Sequence, residues 1–168
     1  MSAAAAAPAT TESQVATIFQ YTVEAYKMFQ KLSELLPNPM AAHTFENLAE
    51  DEREVRSLIE MKYADPSVKP TKIALEKDFR FQDALEGDLS FTETAELLIA
   101  REKTMEKWLT DAAKNAPPSD RALFTYIAGT KRAHLVYLQR ELELLRIDPD
   151  WSKREDAEAL VVHGKLSS

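Results

Sequence analysis

The stretch FTYIAGTKRAHLVYLQ, residues 124–139, puts a lysine and a histidine where an apolar stripe should run. Phe124, Ile127, Ala128 and Leu138 recur at three- and four-residue spacing, the repeat of one buried helix face. Lys131 and His134 fall on that same face. Two glutamates have the same kind of setting. Glu52 shares a stripe with Phe45, Leu48, Ala49, Val55 and Ile59, and Glu102 shares one with Ala95, Leu98, Ile99, Met105 and Leu109. Charged side chains are rarely buried without a partner. Carboxylates and an imidazole have two uses in such a place. They ligate a metal ion, or they enter a network of ion pairs and hydrogen bonds. A protonated lysine serves only the second use, because it has no lone pair to give and repels a cation.

Four long helical stretches must position these residues. The first runs from about Thr11 to Leu36, with Val15, Ile18, Phe19, Thr22, Tyr26, Phe29 and Leu32 inward. PNP at 37–39 stops it, since proline cannot continue a helix and restricts the residue before it. The second runs from about Pro39 to Tyr63, the third from about Phe91 to Asn115, and the fourth from about Ser119 to Arg146. Residues 72–86 read as a short helix between linker signals, and a short terminal helix is expected near Lys153–Val162. The first and third connections are a few residues long and imply antiparallel hairpins. The middle connection, about 64–90, is long enough to return along a bundle whose ~25-residue helices span roughly 38 Å. The expected architecture is all-α: two hairpins joined by one long crossover.

Composition limits the functions available. The chain has 168 residues, 45% hydrophobic and 29% charged, with three glycines, as for one all-helical globular domain. A net charge of −7 argues against a nucleic-acid backbone as partner. There is no cysteine, which removes disulfides, thiolate nucleophiles and cysteine-held iron. That absence fits the cytoplasm. No apolar run approaches the ~20 residues of a membrane span. MSAAAAAPATTES has no basic start or bulky apolar core and reads as a disordered Ala-rich tail over residues 1–11 rather than a signal peptide. Residues 12–146 form the bundle, and 147–168 form an extension expected to pack on it. No glycine-rich phosphate loop and no Ser-His-Asp arrangement is evident. His43, Glu46 and Glu50 read as a solvated helix face, and tyrosines 21, 26, 126 and 137 as core and interface residues.

The halves repeat. FENLAEDEREVRSLI (45–59) aligns with FTYIAGTKRAHLVYL (124–138), pairing Phe45 with Phe124, Leu48 with Ile127, Ala49 with Ala128 and Ile59 with Leu138. At nearly the same offset Ile18 matches Leu98, Phe19 matches Ile99 and Thr22 matches Glu102. With AELLIARE (95–102), the words FENLAEDE and LFTYIAGTKRAH resemble the ferritin-like superfamily, rubrerythrin-like branch, over about residues 12–146. The resemblance implies a four-helix bundle holding two irons, with a Glu from each of two helices and a Glu-x-x-His from each of the others. Such a centre supports oxygen or peroxide chemistry, or ferrous oxidation. Carried over, the family's positions fall on Thr22, Glu52, Val55, Glu102, Lys131 and His134. Three of the six retain a ligand type, and no Glu-x-x-His pair is intact.

Two expectations follow. In the first, the di-iron centre is replaced by a buried network of Glu52, Glu102, Lys131, His134 and Thr22, with no cofactor and no catalysis. In the second, Glu52, Glu102 and His134 hold one or two non-haem irons for oxidation or iron handling. Either form is expected to be a homodimer, with a further protein partner in reserve and neither nucleic acid nor membrane as partner.

Overall fold

The computed structural model describes residues 10–65, 70–81 and 89–155. Among them are four α-helices and no strand: α1 (Thr11–Leu35), α2 (Pro39–Lys62), α3 (Phe91–Asn115) and α4 (Pro118–Ile147). The expected tail lies outside the described residues up to residue 9. The helix ends follow local chemistry. Thr10 and Ser90 cap α1 and α3 by accepting from Ser13 N and Glu93 N. Asn38 caps α2 through Met40 N and Ala41 N, with Pro39 in the first turn, where its missing N–H costs nothing. None of these helices is long and apolar enough to cross a membrane.

Cross-helix contacts fix the directions. Phe29 meets Phe45 while Arg56 lies over Phe19, so α1 and α2 are antiparallel. Glu102 meets His134 and Glu106 meets Arg132, so α3 and α4 are antiparallel. Thr44 bonds Glu141 and Tyr63 bonds Asp120, which sets α2 against α4 in the same sense. It follows that α2 and α3 run parallel, and the connection between them must return the length of the bundle. Nearly all the close helix neighbours lie within the two hairpins, α1 on α2 and α3 on α4.

The described part of that connection corrects the expectation of a short helix over 72–86. It holds only a single 3-10 turn at Lys77–Phe79, with residues 82–86 outside the described range. Its buried residues, Leu75, Phe79 and Phe81, fall at spacings of four and two with Lys77 exposed between them, and so follow no regular helical stripe. Phe79 and Phe81 set their rings 6.1 and 5.1 Å from that of Tyr21, and Phe79 also meets Trp108. The crossover therefore seals the α1–α3 side of the bundle. Of the terminal helix expected near 153–162, only residues 153–155 are described, at the end of a 3-10 turn over Trp151–Lys153; residues 156–162 lie outside the described range. Asn38 ties this turn to the bundle, its side-chain amide donating to Trp151 O and its backbone N–H to Ser152 O.

Candidate functional site

Halfway along the bundle the apolar core is interrupted by a layer of charge. Glu52 from α2, Glu102 from α3, and Lys131 and His134 from α4 all have no exposed surface. The helical repeat explains how they converge. Lys131 and His134 are one turn apart and point the same way. Glu52 and Glu102 are each the one charged position on a buried stripe otherwise made of Phe, Leu, Ile, Val, Met, Ala and a single Thr.

Lys131 is the hub. Its ammonium donates to Glu52 Oε1 and lies 3.4 Å from Glu102 Oε2. It also sits 5.0 Å from the centre of the Tyr21 ring, on the ring's electron-rich face. Glu102 is the best-satisfied acid. Its Oε2 accepts from the Tyr21 hydroxyl at 2.6 Å and its Oε1 from His134 Nδ1 at 2.7 Å. His134 Nδ1 is also 3.6 Å from Glu52 Oε1. The other imidazole nitrogen, Nε2, faces Asp51 Oδ2 at 3.0 Å. Both ring nitrogens thus face carboxylates, which accept and cannot donate, so the ring carries both protons. The quartet of Glu52, Glu102, Lys131 and His134 then balances two negative charges with two positive ones.

The titration behaviour follows from this geometry. Burial alone would lower His134, but its bonds to Asp51 and Glu102 and the charge of Glu102 outweigh that and raise it from 6.5 to about 9. Burial likewise works against the Lys131 ammonium, yet Glu102 and Glu52 together hold it charged and push it up. Burial works against ionised Glu102 too, but Lys131, His134 and Tyr21 overcome it and pull that carboxyl down. Glu52 has fewer donors; burial wins there and raises it. Tyr21 is pushed well up by burial and by the Glu102 charge.

Glu52 Oε2 is the exception to full satisfaction: it is buried and lacks a hydrogen-bond partner within the protein. Thr22 lines the same small cavity between α1 and α2 as Glu52, but the Thr22 hydroxyl donates to Ile18 O of its own helix at 2.8 Å. The residues brought together are therefore Glu52, Glu102, Lys131 and His134, with Thr22 alongside and bonded elsewhere. Two participants were missed in the sequence. Tyr21 reads as generic core, yet a buried tyrosine hydroxyl needs a partner, and the Ile18–Tyr21–Ala25 spacing points it inward. Asp51 is hidden in the acidic run AEDEREVRSLIEMK. Its carboxylate is 45% exposed and is the point where the buried layer reaches the surface.

The donor set has a second aspect. One ligand atom each from Glu52, Glu102 and His134 lie within 4.8 Å of one another, so the group could hold a metal ion. A pair of irons does not fit these residues. Thr22 offers a hydroxyl already bonded to its helix, position 55 is a valine, and Lys131 brings a positive charge. A single ion fits only with Lys131 displaced or deprotonated and with His134 Nδ1 freed of its proton. Searches against family models, curated proteins and solved structures gave no significant match to the chain.

Proposed function

We propose that this protein is a non-catalytic member of the ferritin-like superfamily, rubrerythrin-like branch, in which a Glu–Lys–His network has taken the place of a di-iron centre. One observation carries the reading: the Lys131 ammonium lies between Glu52 and Glu102, with no exposed surface on any of the three. Two buried carboxylates need positive charge nearby, because their desolvation is otherwise too costly. Metal is one source of that charge; Lys131 is another, and it is covalently attached. The parallel α2 and α3, the long crossover between hairpins and the four facing polar positions support the superfamily assignment. On this reading the bundle is a cytoplasmic homodimer and acts through binding a protein partner, with no cofactor.

A second reading has its own support. The near-coincident ligand atoms of Glu52, Glu102 and His134, and the unpartnered Glu52 Oε2, favour a rubrerythrin-like protein that binds iron. When bound, such an ion would supply oxidation chemistry, and Lys131 would have to leave the layer to admit it. Thermal unfolding with chelator, ferrous iron or zinc separates the two. A ligand that binds only the folded state raises its stability by mass action. The network reading expects the same Tm in all three conditions. A rise of several degrees with excess ferrous iron, reversed by chelator, would favour the metal reading.

A further inference from the structure

The groove between α2 and α4 contains a carboxylate that the buried network does not use. Glu141 is only 2% exposed. Its two oxygens accept from Thr44 Oγ1 at 3.1 Å and from Trp151 Nε1 at 2.9 Å. Both donors are neutral, and no salt bridge among the described residues reaches Glu141, although Arg140 and His43 also line the space beside it. A cavity of about 670 Å³ opens beside it. Leu48, Leu144, Met40 and the rings of Tyr137 and Trp151 line it, and Asp51 lies further along. That volume suits a small organic ligand.

The spacing of the two acids narrows the class. Thr44 is level with Glu141, since they are bonded, and Asp51 lies two helical turns beyond Thr44, about 10 Å along α2. Between the two acids the wall is mainly apolar, through Leu48, Leu144 and Tyr137, with the Asn47 amide as a polar interruption. An inorganic cation would leave that wall unused. A neutral apolar ligand would leave Glu141 without a salt bridge, and a diacid would meet like charge at both ends. A chain with ammonium groups separated by methylenes matches all three features. The aromatic walls add faces suited to a cation. The Arg140 guanidinium already rests 5.3 Å from the centre of the Tyr137 ring, at the rim of the same groove.

We propose that this groove binds a linear aliphatic polyamine, one ammonium at Glu141, a second at Asp51, and the methylene chain laid along Leu48 and Leu144. The test is isothermal titration of the full chain with spermidine near physiological salt, beside butylamine as a single-headed control. The proposal expects saturable binding at one site per chain, with spermidine about tenfold or more tighter than butylamine. Glu141→Gln keeps the side chain's shape and removes its charge, and should weaken spermidine about tenfold. Glu34→Gln, an equal charge change on an exposed part of α1, should leave binding unchanged. If Glu141→Gln fails to fold, the spermidine-to-butylamine ratio on the unaltered protein decides. Absence of saturable binding overturns the proposal, as does equal weakening by Glu34→Gln or equal affinity for the two amines. A stable dimer that shields Tyr137 and Trp151 would assign the groove to a second copy and overturn it as well.

Discussion

Lys131 and its neighbours set the energetics at the residue scale. Lys131→Met keeps most of the volume and removes the charge, leaving Glu52 and Glu102 without their shared cation. Breaking a buried pair in this way costs about 3–5 kcal/mol, to be read from urea unfolding; a loss under about 1 kcal/mol would sink the ion-pair account. The two acids should not respond equally. Glu102 accepts from Tyr21, His134 and Lys131, whereas one oxygen of Glu52 has no partner. Glu102→Gln is therefore expected to destabilise more than Glu52→Gln in paired denaturation curves. His134 gives a pH signature. Its folded pKa, about 9, lies above its ordinary 6.5, so its stabilisation is complete below pH 6.5 and is lost as pH rises through about 9. The amount is on the order of 3 kcal/mol. A His134→Phe variant should show little of this alkaline loss in Tm measured from pH 6 to pH 10. An unchanged alkaline slope in that variant would assign the loss to another group.

The helices show how much of this was legible and why. Their ends were legible to within a residue or so, because prolines, caps and linker signals act locally. The four charged positions were legible because each breaks an apolar stripe: Glu52, Glu102, Lys131 and His134 stand out against Leu, Ile and Phe. Tyr21 and Asp51 were not, because their roles depend on neighbours across the bundle. Tyr21 looks like any core aromatic until Glu102 lies beside it, and Asp51 looks solvated until His134 meets it. The crossover was misread because Leu75, Phe79 and Phe81 follow the surface of folded helices, an instruction absent from the segment's own propensities. Two expectations belong at this scale. Asn38 is fully buried, caps α2 and holds the C-terminal turn, so Asn38→Ala should cost about 1–3 kcal/mol in chemical denaturation. Gly129 lies inside α4, and a Cβ there would meet nothing within 4 Å. Gly129→Ala should stabilise the isolated chain by about 1 kcal/mol. A destabilisation instead would show that another chain packs closely over that face.

At the scale of the whole molecule, two helical hairpins bring Glu52 from α2, Glu102 from α3, and Lys131 and His134 from α4 into a common layer. The crossover and its aromatic residues close one side. Such a bundle provides a protected interior whether metal or lysine supplies the charge. Lys131 distinguishes these cases, and so does metal content. The most direct measurement is metal per chain by inductively coupled plasma mass spectrometry, on protein grown in iron-supplemented medium and again after anaerobic ferrous loading and desalting. The account expects near-zero metal in both samples. One ion per chain, lost on Glu52→Gln or Glu102→Gln, would contradict it and assign the layer to a metal site from which Lys131 is displaced.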